Sequence, residues 1–211
     1  MRNLFDSLLL ALSLVAGFAH ALAAAPVAGT NYEVLKVAHP TSAPPGKVEV
    51  ISFFSYVIPQ CYQLEPTLEA FVKKEGDRIV FKRVAVTFLG ATLLPDSQLY
   101  YSLVSLGLGE KLMLTVYDEI QKKKNYLLTW DEQADFLATQ GVDKRKFLLA
   151  QGDNVISLRE QGDKLSGDYQ IDNLPTLVVA GRYKIGPVNN GPDGMATVLD
   201  YLVKQVQDKK L

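Results

Sequence analysis

Residues 48–68 read VEVISFFSYVIPQCYQLEPTL, and the change of pattern inside this stretch decides the fold. The run Lys47–Tyr56 is almost continuously apolar, which predicts a central strand that is covered on both faces. Beyond Pro59, a residue well placed in a first helical turn, apolar side chains recur at helical spacing. Pro66 interrupts that helix, but the periodicity continues past it, so we expect a kink rather than an end.

Further strands are predicted on both sides of this unit. Arg78–Phe88 follows a Gly-Asp turn, so strand, helix and strand together form a parallel crossover. Upstream, Tyr32–Val37 also has the pattern of a strand. Downstream, Leu174–Val179 and Arg182–Ile185 predict a hairpin, and a helix is expected from Gly194 onward.

Residues 89–169, between these two β-containing parts, have mostly helical patterns. Four segments have helical length and periodicity: Gln98–Leu108, Lys111–Lys123, Thr129–Thr139 and Lys144–Gln151. The order of elements therefore predicts an α/β protein with a helical subdomain inserted into it.

The first 23 residues have the pattern of a secretory signal peptide. Arg2 supplies a positive charge, Leu8–Phe18 form a short apolar stretch, and small residues follow that offer Ala-x-Ala cleavage sites. We expect cleavage after Ala23, with Ala21 as the alternative. The apolar stretch is too short to span a bilayer comfortably, so no membrane anchor is expected after cleavage.

Composition and cysteine count narrow the function. The 211 residues are 48% hydrophobic and 21% charged, as in an ordinary globular protein, and the net charge of −1 argues against a nucleic-acid partner. Cys61 is the single cysteine, although an exported protein enters a compartment that favours disulfides. Such a cysteine is either buried and inert or available to another molecule.

Several motifs resemble those of DsbA-type thiol:disulfide interchange proteins, a branch of the thioredoxin-fold superfamily. That family has an F-F strand, a Cys-Pro-His-Cys motif and a Val-Pro-Thr-like loop with a cis proline. The matching residues here are Phe53-Phe54-Ser55-Tyr56, Pro59, Cys61-Tyr62 and Leu174-Pro175-Thr176. The stretches 65–70 and 140–144 look like the versions in β-proteobacterial relatives.

The resemblance implies a thioredoxin-like fold with an inserted helical subdomain, in a periplasmic protein. Residues 24–211 would form a single DsbA-like domain. Its thioredoxin-fold parts would be 30–88 and 170–211, and the helical insertion 89–169.

The same resemblance implies a degenerate redox-active centre. Ile58 stands at the position of the nucleophilic first cysteine, and it cannot ionise, attack or pair with Cys61. Gln60 replaces the histidine of the motif. Val57 stands where glycine is common, and Ser52 where the family often has a buried acid. We therefore expect dithiol oxidase activity to be lost or strongly impaired in this member of an oxidoreductase family.

A basic residue that would face the family's buried acid is expected on the next strand, at Lys82 or Arg83. Among other candidates, His39 precedes a proline in a loop and has no partner for a nucleophilic pair or a metal cluster. The sequence therefore indicates no metal and no cofactor.

Two interpretations of Cys61 remain open, a lone reactive thiol and a small buried hydrophobe, and we favour the second. Pro59 and Gln60, together with Leu174 and Pro175, are expected to border a groove that pairs with an extended peptide, which requires no sulfur. The first functional hypothesis is accordingly a non-catalytic binder of extended or unfolded exported polypeptides. The alternatives are a single-thiol exchange enzyme and a decoy for the family's membrane-bound reoxidising partner.

Overall fold

Five strands form one mixed sheet in the computed structural model, which describes residues 24–87, 90, 93–187 and 191–211. The signal peptide expected at residues 1–23 lies outside the described residues. The strands are β1 (Glu33–Val34), β2 (Val48–Phe54), β3 (Ile79–Ala85), β4 (Thr176–Val179) and β5 (Tyr183–Ile185). Their order across the sheet is β1-β5-β4-β2-β3.

Strand β2 lies inside the sheet, and every one of its residues is buried. It runs parallel to β3 and antiparallel to β4, with Phe53 opposite Thr176. The parallel pairing confirms the predicted crossover, and burial on both faces explains why the sequence of this strand is nearly continuously apolar.

The sheet is covered by helices from two parts of the chain. Helix α1 (Pro59–Glu75) follows β2, and α7 (Gly191–Gln207), which follows β5, packs against α1. In the described part of the chain between β3 and β4, the helices are α2 (Leu94–Ser105), α3 (Gly109–Gln121), α4 (Trp130–Thr139), α5 (Lys144–Leu149) and α6 (Asp153–Asp168). No helix of the described residues is long and apolar enough to cross a membrane.

The predicted class, an α/β protein with a helical insertion, is confirmed, but some element bounds were wrong. Helix α6 was missing from the four predicted helices, because Gly162 and Gly167 interrupt its apolar pattern. Helix α2 begins at Leu94 rather than at Gln98, since Pro95 fits its first turn. The first strand is much shorter than predicted, and only two of its residues pair with β5.

Close packing explains one of these glycines. A Cβ on Gly162 would meet the hydroxyl of Tyr101, with Cζ of that ring at 3.0 Å. The Tyr101 hydroxyl in turn donates a hydrogen bond to the Ala85 carbonyl at 3.0 Å. Helix α6 therefore approaches α2 and the end of β3 as closely as only a glycine permits.

The start of α4 carries a capping box. The hydroxyl of Thr129 accepts a hydrogen bond from the Glu132 amide at 3.2 Å. The Glu132 carboxylate accepts one from the Thr129 amide at 2.9 Å. Both interactions satisfy amides that the helix itself leaves free, which places the first turn as the sequence predicted.

Candidate functional site

The four motif residues lie where β2 ends and α1 begins. Ile58 is the N-cap residue of α1 in an extended conformation, and no side chain caps the helix there. The Cys61 amide donates to the Ile58 carbonyl at 3.1 Å, so the two residues are one turn apart. Pro59 and Gln60 are exposed between them. This backbone would suit a Cys-x-x-Cys pair, but one sulfur is missing.

Cys61 is buried, with 2% of its surface exposed. Burial raises the pKa of its thiol to about 12, and the negative charges of Asp96 and Glu65 act in the same direction. A hydrogen bond from the Ser55 backbone opposes the rise, and its effect is smaller than that of burial but larger than that of either charge. The thiol is therefore protonated at neutral pH, and Ile58 packs against the same core cluster.

The Leu174–Pro175 loop lies beside the motif. Its peptide bond is cis, and both residues are buried. Because Thr176 pairs with Phe53, the two residues before it lie next to the end of β2. Leu174 joins the core cluster that contains Cys61. The predicted site residues therefore come together, two of them exposed and the others in or against the core.

The Leu174–Pro175 loop is also held from within and borders a cavity. The Leu174 amide donates to Oδ1 of Asn173 at 2.8 Å, and the Thr176 hydroxyl donates to the Asn173 carbonyl at 2.8 Å. Asn173 and Thr176, the residues that flank the loop, line a cavity of about 460 Å³ together with Tyr32 and Lys184. None of Pro59, Gln60, Leu174 and Pro175 lines this cavity, so it lies next to the expected groove rather than in it.

Asp96 is a site residue that the sequence analysis missed. Its carboxylate comes from the first turn of α2 and is only 5% exposed. Its two oxygens accept the Tyr56 amide at 3.2 and 3.1 Å. Burial raises the pKa of this carboxyl to about 7, although hydrogen bonds from the Ser55 side chain and the Tyr56 amide lower it. An aspartate after a proline usually indicates only a helix start, so the sequence carried no signal for this contact.

A second inserted helix holds the same turn. Nε2 of Gln121, at the end of α3, donates to the Tyr56 carbonyl at 2.6 Å. The Tyr62 hydroxyl, in the first turn of α1, donates to Asp118 of α3 at 2.8 Å. Helices α2 and α3 therefore hold the Tyr56 backbone before the motif and the Tyr62 side chain after it.

Comparison with known proteins identifies the family. No family model matches the chain. It is 54% identical, over 215 aligned positions that cover 100% of both proteins, to the "Thiol:disulfide interchange protein DsbA" of Burkholderia cepacia. The chain belongs to the DsbA family. The protein of the same description from Pseudomonas aeruginosa is 36% identical, with 97% of each chain covered.

Solved DsbA structures confirm the thioredoxin-like fold with its helical insertion. The crystal structure of Pseudomonas aeruginosa DsbA matches with a TM-score of 0.81 at 33% identity, covering 88% of this chain and 96% of that one. Reduced DsbA1 from Neisseria meningitidis matches with a TM-score of 0.74 at 27% identity, covering 89% and 98%.

The charge pair below the site is arranged differently from the DsbA pattern that the sequence suggested. Ser52, at the position where the resemblance implied a buried acid, pairs in register with Arg83. The buried Arg83 guanidinium instead forms ion pairs with Glu65 of α1 and with Glu110 of α3. Burial raises the pKa of Glu65, and the attraction of Arg83 opposes that shift. Without an acid at position 52, a carboxylate from a helix compensates the buried positive charge of this DsbA family member.

Of the two candidates Lys82 and Arg83, Arg83 is the basic residue that lies beside position 52. Lys82, the other candidate, lies on the opposite side of β3 and binds the buried Glu49 at 2.7 Å. The two alternatives differ by one residue, and successive strand residues point to opposite faces. Only the register of β3 against β2 shows which of the two residues is on the same face as Ser52.

Proposed function

We propose that this DsbA family protein has lost dithiol–disulfide exchange and acts in the periplasm as a non-catalytic binder of extended or unfolded exported polypeptides. The observation that carries the proposal is the combination of an intact site backbone with one buried sulfur. Cys61 is 2% exposed, and Ile58 occupies the place of the nucleophile.

Thiol chemistry supports the first half of the proposal. Exchange begins when a thiolate attacks a disulfide sulfur, and a dithiol protein then resolves the mixed disulfide with its second thiol. Ile58 supplies neither an attacking nor a resolving group. The thiol of Cys61, with its pKa raised to about 12 mainly by burial, supplies almost no thiolate at neutral pH.

Backbone geometry supports the second half. A peptide that adds to a sheet or loop by backbone hydrogen bonds requires free amides and carbonyls and no sulfur. Pro59 and Gln60 are exposed beside the Leu174–Pro175 loop, and the cavity of about 460 Å³ lined by Asn173 and Thr176 would take only the part of a peptide that extends past Leu174 and Pro175, which do not line it. The Leu174 amide is bonded to the side chain of Asn173, which is exposed, so a ligand carbonyl can displace that side chain.

An insulin-reduction assay tests the loss of exchange, and Ile58→Cys is its matched control. We expect no turnover above background from the unaltered protein. The Ile58→Cys variant should gain measurable turnover, because the two thiols would then lie one helical turn apart. Turnover by the unaltered protein that disappears in Cys61→Ser would instead establish a single-thiol enzyme.

Peptide binding is tested separately with a fluorescent, cysteine-free unfolded polypeptide. We expect the same affinity for the unaltered protein and for Cys61→Ser, because binding uses no sulfur. Asn173→Ala should increase the affinity, because the Asn173 side chain competes with the peptide for the Leu174 amide. Failure of this probe to bind at millimolar protein concentrations would rule out the binding proposal.

A further inference from the structure

The peptide unit that leads into the motif is held by side chains on both sides. Asp96 of α2 accepts the Tyr56 amide, and Gln121 of α3 donates to the Tyr56 carbonyl. A neutral amide side chain holds one side, whereas an ionisable group holds the other. The two contacts therefore respond differently to pH.

We propose that Asp96 is a proton-sensitive positioning residue, which fixes the turn 55–58 when ionised and loosens it when protonated. This inference deepens the proposed binding function and rests on it, because the same turn borders the Leu174–Pro175 loop. Loosening the turn should weaken the binding of an extended peptide.

The hydrogen-bonding capacity of a carboxyl group explains the two states. The ionised form accepts with both oxygens, and it accepts the Tyr56 amide with each of them. The protonated form keeps one good acceptor and gains an O–H that requires an acceptor of its own. Ser55, whose hydroxyl already accepts the Val57 amide at 3.3 Å, is the side chain that would have to reorient. Protonation at Asp96 is thus transmitted to residues 55–57.

The surroundings of Asp96 place its titration near neutral pH. Titratable side chains from three packed elements and from its own helix face this region: Tyr56 at the end of β2, Cys61 and Glu65 on α1, Tyr100 on α2 and Tyr117 on α3. The tyrosines and the thiol are neutral at pH 7, and Glu65 is paired with Arg83. Because burial dominates and no cation contacts Asp96 among the described residues, its carboxyl pKa rises to about 7.

Nuclear magnetic resonance tests the positioning role directly. In the unaltered protein, the Tyr56 amide and the Asp96 side-chain carbon should both shift with a midpoint near pH 7. In Asp96→Asn, the Tyr56 shift should no longer titrate there.

Asp163→Asn is the matched control. Asp163 is also an inserted carboxylate at a strand end, and it accepts the Thr87 amide at 3.2 Å and the Thr87 hydroxyl at 2.6 Å. This variant should leave the Tyr56 titration unchanged. A Tyr56 amide that does not titrate between pH 5.5 and 8.5 in the unaltered protein would overturn the positioning role, whether or not a variant folds.

Peptide affinity completes the test. We expect the cysteine-free unfolded polypeptide to bind about tenfold more weakly at pH 6 than at pH 8, and this difference to vanish in Asp96→Asn. Equal affinities at both pH values would overturn the link to binding. Absence of binding at every pH would overturn the proposed function together with that link, while the Tyr56 titration still decides the positioning role.

Discussion

Chemical labelling of Cys61 distinguishes an inert thiol from a catalytic one. The pKa of this thiol rises from 9.0 to about 12 on burial, a change of about three pH units. Each unit corresponds to about 1.36 kcal/mol, so forming the thiolate in place is about 4 kcal/mol less favourable than in an exposed cysteine. Because the thiolate is the reacting species, the folded protein should react about 1,000-fold more slowly than the unfolded chain.

The assay compares a chromogenic thiol reagent at pH 8 with and without denaturant, and Cys61→Ser supplies the background. Ile58→Ala should speed labelling of the folded protein, since it removes an apolar side chain that packs against the cluster around the sulfur. A folded rate within tenfold of the unfolded rate would refute the reasoning. It would show a thiolate stabilised in place and would favour the single-thiol enzyme.

Three further predictions concern packing and electrostatics. The folded protein keeps the Asp96 proton up to about pH 7, whereas an unfolded chain loses it near pH 3.8, so rising pH destabilises the fold. Denaturant titrations from pH 4 to 8 should show that the free energy of unfolding falls by up to about 4 kcal/mol more in the unaltered protein than in Asp96→Asn. Parallel pH profiles of the two proteins would contradict this. Gly162→Ala should lower the free energy of unfolding by about 1–3 kcal/mol, because the added Cβ clashes with Tyr101. A Cβ on Gly167, in the same helix, meets nothing, so Gly167→Ala should be neutral or stabilising. Equal effects of the two substitutions would argue against the clash. Thr129→Ala should destabilise by about 1 kcal/mol in thermal or denaturant unfolding, and an unchanged stability would mean that the capping box contributes little.

The junction of β2 and α1 could be predicted from sequence because one pattern governs each side of it. A strand buried on both faces requires continuous apolar residues, and a helix that packs on a sheet requires periodic ones. The degenerate motif was equally visible, since Ile58 and Cys61 are properties of the sequence itself. Burial of Cys61 agrees with the interpretation that the sequence favoured.

Contacts that join distant parts of the chain could not be predicted in this way. Asp96 and Tyr56 are 40 residues apart, and nothing near either one indicates the other. The choice between Lys82 and Arg83 depended on a register of one residue, which an apolar strand pattern does not specify. Helix α6 was missed for a related reason, because the glycine that interrupts its pattern is required by a neighbouring helix.

Because side chains of other helices hold Tyr56, the conformation of the motif loop depends little on which residues occupy it. Asp96 and Gln121 hold the backbone immediately before the motif, and Asp118 holds the side chain of Tyr62 immediately after it. The backbone conformation of positions 58–60 is therefore set largely by residues of helices elsewhere in the chain. Side chains at these positions can therefore be exchanged, in evolution or by design, and the new side chains will be held in the same backbone conformation as the old ones.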